Sequence, residues 1–427
     1  MSHTPSSEKD SVVAEVLPTE TKQAGDDEGE VFKASLGGED VAEFRTTIAL
    51  MFKVQFSLGI LGIPAVMAPV GAVPGALLII GWGAWNTWAA FIEGAFRNRH
   101  PGMHGIQDMM YLVAGPIGRE IVGALFFVGF VLVTGSGYIA GATALNGWIG
   151  AVSLYVAVFI LVVAVGVNSR PAIAPPGDYE LGFYAVGQNV DFLTGLAAST
   201  VIFISSSGHS ANISIIAEMR NPKEYKKPIA ATMSLLNVSY LVFSLVIYRY
   251  CGQWIASPSL GSAGDIIKKV TYGIGLPGIA FSTTINQHLA CKYLFVRVLR
   301  DSEHLQRKTF RHWATWFSIT IGVGVVAFII AQSIPFFSLL LSFVSAISFT
   351  PLAIIVPAIL WLWDFGREYS RGPIHKKLFA AMHVLIILIG AFQVVGGAYA
   401  AIQSIRNAYD AGTVANPFSC ADNSNSS

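Results

Sequence analysis

Two stretches of this sequence hold the residue types that do chemistry in an apolar setting. The first reads Phe52-Lys53-Val54-Gln55-Phe56-Ser57-Leu58-Gly59-Ile60-Leu61-Gly62-Ile63-Pro64-Ala65. Its two glycines and proline weaken the backbone ladder, and freed backbone groups are tolerated at membrane depth only where they line a cavity or meet a ligand. Pro64 suits the first position of a second half-helix, which would aim the amides of Leu61, Gly62 and Ile63 into a site shared with Ser57, Gly59 and Ile60. The second stretch, Phe203-Ile204-Ser205-Ser206-Ser207-Gly208-His209-Ser210-Ala211-Asn212, is a polar cluster inside the 26-residue window from Phe192 to Ala217, which carries no Asp, Glu, Lys or Arg. Its candidate binding residues are Phe203, Ser205, Ser206, Ser207 and Gly208, because hydroxyls re-satisfy a broken ladder or hold a polar ligand. Half-helix N-termini favour carboxylates and free carbonyls favour cations, and two such interruptions in corresponding halves point to a transport site. A kink that eases packing, or small-residue helix contact, is the plainer alternative for either stretch alone.

Two ionisable side chains accompany these breaks. Lys53 lies about one and a half turns before Gly59 and is costly in a bilayer unless paired, solvated or deprotonated. It either belongs to an ion pathway or snorkels to the interface. His209 carries an imidazole that can exchange protons, or it is an ordinary hydrogen-bonding residue. Both are candidate coupling groups. No catalytic constellation is present: paired-His metal motif, phosphate loop and nucleophile elbow are all missing. His100, His104, His288 and His383 are scattered, and Cys251, Cys291 and Cys420 are odd in number without metal spacing. The sequence thus points to no enzyme, no metal and no cofactor.

The elements that must position these groups are membrane spans. Of 427 residues 53% are hydrophobic and 12% charged, about half the charged share of an average soluble domain. Net charge is +1 with no basic stripe, which argues against nucleic acid as a partner. A bilayer core of about 30 Å needs around 20 apolar residues per helix. Charge-free windows run over Val54–Ile92, Ile121–Ser169, Phe192–Ala217, Pro228–Tyr248, Val270–Cys291, His312–Trp363 and Leu378–Ile405. The first divides at Pro69, Gly71 and Pro74, the second near Asn146-Gly147 and the sixth at Ser333-Ile334-Pro335, so ten spans are expected. Residues 1–44, with eleven acids against three Lys, read as a disordered acidic cytoplasmic tail without the basic start of a secretory signal. Residues 45–405 form the membrane domain and 406–427 a short polar tail.

Lys and Arg concentrate in four linkers: 93–120, 218–227, 292–311 and 364–377. The positive-inside rule places all four in the cytoplasm. Three spans separate the first from the second, which would put them on opposite faces. Either one apolar stretch does not cross, the rule fails, or a span is absent.

The stretches FKVQFSLGILGIPAV, HPGMHGIQDMMYLVAGPIGREI, SSSGHSANISIIAEMRNPKEYKKPI and SYLVFSLVIYRYCGQWIASPSLGSAG resemble the fungal neutral amino acid permeases of the amino acid/auxin permease family, and the resemblance runs from about Phe44 to Asp422. It implies an all-α bundle of inverted five-helix repeats with helices one and six broken. It also implies proton-coupled symport of neutral, including aromatic, amino acids, with sodium the weaker candidate ion. The plasma membrane is the expected location and a vacuolar or other organellar membrane the alternative. Members have eleven helices; here the fourth is missing after Asn146. His209 stands where relatives more often have a small hydroxyl residue. A non-transporting amino acid sensor on the same fold is the competing function.

Overall fold

The computed structural model describes residues 44–410 apart from 101, 141–146, 169, 189, 218, 220, 301, 306 and 334–336. The two tails and the expected break at Ser333-Ile334-Pro335 therefore lie largely outside the described residues. Helices account for the architecture: α1 (Phe44–Val70), α2 (Ala72–Arg99), α3 (Ile106–Ala140), α4 (Gly147–Val167), α5 (Phe192–Ile204), α6 (Asn212–Ala217), α7 (Lys226–Cys251), α8 (Asp265–Leu299), α9 (Phe310–Ser333), α10 (Phe337–Val344), α11 (Val356–Arg371) and α12 (Ile374–Asp410). Five of these passages are long and apolar enough to cross a membrane on their own, and two bent pairs, within α1 and across α10–α11, qualify when joined. α4, with 21 residues, and α8, with 35, also have the length, at about 1.5 Å per residue, for a core of about 30 Å. By length and composition together the described residues hold five spanning helices, or seven with each bent pair counted as one span, against the ten spans expected from the sequence. The last helix reaches Asp410, five residues beyond the expected boundary.

The outward faces confirm the solvent. α9 exposes Phe317, Ile321, Val325, Phe328 and Ile329, and α12 exposes Leu385, Leu388, Phe392 and Val395. Apolar stripes of that extent would be a liability in water and are the expected surface in lipid.

Punctuation residues set the turns. Gly71, at φ 90°, ends α1, and a Cβ there would stand 2.5 Å from Gly187 N, so only glycine lets the 181–187 loop approach. Gly115, at φ 66° before Pro116, divides α3 into a short entry helix and a long one. Asp191 caps α5 by accepting from the Thr194 amide, and its bonds to Thr194 hold that carboxyl below the usual range.

Contacts between helix ends define two faces. Asn98 donates to Pro222 O at 3.1 Å, Arg99 pairs with Asp364, and Arg297 pairs with Glu120. All four basic linkers therefore share one face, as the positive-inside rule requires. The 181–187 loop bonds Ala72 and Val73 at the opposite face, where Gln253 and Trp254 donate to Glu180 O. α3 leaves from the basic face, with Arg97 donating to Met103 O just before it. α4 arrives at the other face, running parallel with α7: Tyr155 meets Ser239 and Phe243, and Gly166 meets Tyr250. If both were full crossings, Ala140 and Gly147 would sit on opposite faces about 30 Å apart, but seven Cα steps reach at most about 25 Å. α3 and α4 together make one net crossing.

Candidate functional site

α1 bends by 40° between Thr47–Phe56 and Gly59–Val70. The bend falls at Ser57-Leu58, so Pro64 is not the first residue of the second half; it sits inside a helix that continues to Val70. Having no N–H, Pro64 frees the carbonyl of Ile60, and Ser259 donates to that oxygen at 3.4 Å. Ile60, Leu61 and Ile63 are buried, and Gly62 packs toward Leu341 and Val201. The side chain of Ser57 lies outside the described residues.

The second interruption is a real loss of helix. α5 ends at Ile204, a 3₁₀ turn spans Gly208–Ala211, and α6 follows. Hydroxyls fold back on the ladder: Ser205 Oγ donates to Val201 O at 2.8 Å and Ser207 Oγ to Ile204 O at 3.0 Å. α2 braces the break, with Asn86 Nδ2 donating to Ser206 Oγ at 2.8 Å and to Phe203 O at 3.4 Å, while Trp82 packs edge-on against Phe203. The carbonyls of Phe203 and Ile204 thus already have protein donors.

The two interruptions meet. A Cβ on Gly59 would stand 2.6 Å from Ser205 Cβ and 2.7 Å from Tyr240 Oη, a contact that only glycine permits. Tyr240, buried on α7 and stacked on Phe56, places its hydroxyl 2.8 Å from Gln55 O and 2.8 Å from Ser205 O. Beside this junction lies a small, partly open cavity of about 30 Å³. That is room for about two waters, so a substrate enters only when the walls move. Its polar lining includes Gln55, Ser205 and Asn286, and its apolar lining Phe130, Leu341 and Phe349. Of the residues predicted from sequence, Gly59, Ser205 and Gly208 line it. Ile60, Leu61, Gly62, Ile63, Phe203, Ser206 and Ser207 stand behind them as packing or hydrogen-bonding support.

Lys53 is buried with its Nζ 3.3 Å from the Phe281 ring centroid and without a hydrogen-bond partner, so it does not snorkel outward. His209 is fully buried, and its Nδ1 lies 3.1 Å from Oε2 of Glu93, itself 1% exposed. Glu93 Oε1 and His209 Nε2 have no protein partner, nor do both amide atoms of Gln55, Ser210 Oγ and Asn212 Oδ1. Unpaired polar atoms this dense around one break mark a place built to meet water or ligand.

Sequence reasoning missed Glu93, Gln55, Tyr240 and the wide π-helical turns at Ser345–Phe349 and Pro351–Ile355, which bend the α10–α11 passage by 45° and carry Phe349 to the cavity. Glu93 closes a charge-free window and so reads as the start of a basic linker. Gln55 was in plain view as a lone amide between Val54 and Phe56. Tyr240 gave no signal, being one aromatic in an apolar run. Pro351 and the nearby Ser345, Ser348 and Thr350 could have flagged the third bend.

A bundle of membrane-length helices, with two interrupted ones meeting beside a small cavity, defines a helical membrane transporter. The sequence matches the family described as "Transmembrane amino acid transporter protein" over residues 147–403. It is 37% identical to a "Transmembrane transporter" of Gibberella moniliformis over 99% of this chain and 97% of that protein, and 39% identical to a "Transmembrane transporter" of Fusarium pseudograminearum over 92% and 90%. An "N amino acid transport system protein" of Neurospora crassa is 28% identical over 88% of this chain and 87% of its own length. The chain belongs to the transmembrane amino acid transporter family, and its work is moving amino acids across a membrane. The Gibberella alignment spans 468 positions, more than the 427 residues here, so that relative has residues with no counterpart in this chain. The family match begins at Gly147, the first described residue after the α3–α4 seam.

Proposed function

We propose that the chain is a proton-coupled symporter of neutral amino acids, aromatic ones included, acting at the plasma membrane. The observation that carries the site is the contact of the α1 bend with the α5–α6 break at the cavity, through Gly59, Ser205 and Tyr240. A zwitterion needs one anion-attracting and one cation-attracting patch close together, and interrupted helices supply both. The mostly apolar remainder of the lining, with no Asp, Glu, Lys or Arg on it, suits a neutral side chain. The printed name of the Neurospora relative, an amino acid transport system protein, agrees with this substrate class.

Support for proton coupling comes from Glu93 and His209. A buried carboxyl–imidazole contact can hold one proton more or less at modest cost in charge, because each partner neutralises the other. The elements packed on the 3₁₀ turn are α1, α2, α6 and the π-helical Pro351–Ile355. Their ionisable side chains are Arg45 and Lys53 on α1 and Glu93, Arg97 and Arg99 on α2. The test is uptake of radiolabelled neutral amino acids at controlled external pH. Uptake falls when a protonophore collapses the gradient at constant ATP; sodium dependence with no pH response overturns the coupling. Binding without any flux favours the alternative reading, an amino acid sensor on the same fold.

A further inference from the structure

We infer that Tyr240 is a ligand of the substrate's ammonium group and sets a preference for primary over N-methylated amines. The inference rests on the transport-site reading and adds to it a residue from α7, outside both interrupted helices. The Tyr240 hydroxyl stands 2.8 Å from Gln55 O and 2.8 Å from Ser205 O. A phenol has one proton to donate, and neither carbonyl can donate to it. One of the two contacts is therefore an oxygen facing an oxygen at hydrogen-bond distance with no proton of their own between them. Three oxygens meet here with the phenol's single proton among them.

The position is fixed rather than accidental. Tyr240 is 1% exposed and its ring lies parallel to Phe56, with an interplanar angle of 4°. Gly59 has no Cβ where one would collide with the hydroxyl at 2.7 Å. Gln55 and Ser205, whose carbonyls are the other two oxygens, both line the cavity, and both side-chain amide atoms of Gln55 are buried there without a partner. What this nest lacks is a donor of several protons. A primary ammonium brings three, one for each oxygen, and a charged donor strengthens every bond. In the substrate-free state the phenol spans the two breaks; in the occupied state it turns acceptor, with its own proton directed away. A secondary ammonium has two protons and leaves one oxygen unsatisfied. A tertiary one leaves two.

The experiment measures binding, so it does not depend on a complete transport cycle. Purified full-length protein in detergent is titrated with radiolabelled alanine and phenylalanine, in competition with their N-methyl and N,N-dimethyl derivatives. The wild type should bind the primary amine about tenfold more tightly than the N-methyl form, with a further loss for the dimethyl form. Tyr240→Phe should weaken the primary amine about tenfold and bring the primary and N-methyl affinities within about twofold of each other. A wild type that binds primary and N-methyl amines equally overturns the inference without any variant. So does a folded Tyr240→Phe protein that keeps the wild-type preference, while the transport-site reading stands. Failure of the wild type to bind any of these amino acids overturns both.

Discussion

The two interruptions at the cavity look alike in sequence and behave differently in three dimensions. α1 turns by 40° at Ser57-Leu58 and remains helical to Val70, whereas α5 stops at Ile204 and the chain restarts through a 3₁₀ turn. Glycine and proline weaken a helix by what they lack: Pro64 removes one ladder bond, and its orphan carbonyl finds Ser259. Serines act by what they offer, since each hydroxyl competes for a carbonyl that the ladder would otherwise use. Ser205 and Ser207 turn their hydroxyls onto the carbonyls of Val201 and Ile204, Ser206 accepts from Asn86, and His209 meets Glu93 on α2, so the break is held open from within and from α2. A break made by subtraction bends; a break made by competing hydrogen bonds opens. The half of the molecule containing α1 also holds the α3–α4 seam, where the family resemblance expects a further return pass.

The largest effect is expected from supplying that pass. Inserting about 35 residues after Asn146, one helix of around 20 plus its loops, should raise uptake severalfold at matched surface expression. Arg99→Cys and Lys223→Cys should both be labelled from the cytoplasmic side, as their shared face requires. Full-rate transport by the chain as it stands would show that the difference in scaffold has no functional weight.

The next largest separates Gly59 from Gly62. Gly59→Val drives atoms into Ser205 and Tyr240 at the contact between the breaks and should abolish binding. Gly62→Val meets only the flexible end of Leu341 at 3.2 Å and Val201 at 3.3 Å, and should retain binding with affinity weakened severalfold. Equal loss in both, measured by ligand-induced thermal stabilisation, would place the narrow point along the whole of α1 rather than at the bend.

A selective effect is expected at the second break. Glu93→Gln and His209→Gln each remove a titrating partner while keeping its shape. Accumulation against a gradient should fall at least tenfold, while counterflow exchange, which needs no net proton movement, keeps most of its rate. Parallel loss of accumulation and exchange would assign the contact to folding alone.

Much of the fold was legible because the bilayer imposes a length ruler: an all-helical bundle and the approximate limits of its helices follow from charge-free windows. The basic linkers Arg97–Arg99 and Lys223–Lys227 also had the wrong parity for three crossings, and the structure brings them to one face. The site was legible only as two neighbourhoods. The Gly59 and Ser205 stretches announce interruptions, but which of their residues face the cavity depends on rotation, and the bend fell at Ser57-Leu58 instead of Pro64. Tyr240 and Glu93 meet partners far along the chain, Gln55 and His209, and sequence periodicity contains no such pairing.

The smallest effect compares the braces of the two breaks. Asn86→Ala removes donors to Ser206 Oγ and Phe203 O, leaving a buried carbonyl and hydroxyl to find other partners. Side-chain hydrogen bonds within membranes contribute about 0.6 kcal/mol on average and at most about 1.7, so losing two should cost about 1–2 kcal/mol of stability. Ser259→Ala removes a single, longer bond of 3.4 Å to Ile60 O, and should cost less than about 0.6 kcal/mol. The ordering matters more than the size. If hydroxyl competition holds the second break open, Asn86→Ala should also shift the Ser205–Ser207 amides toward faster hydrogen exchange, while the amides flanking Ser57-Leu58 stay as they are in Ser259→Ala. A Ser259→Ala protein that loses more stability than Asn86→Ala, with exchange quickened around the α1 bend, would reverse the comparison and make the proline break the one that depends on its brace.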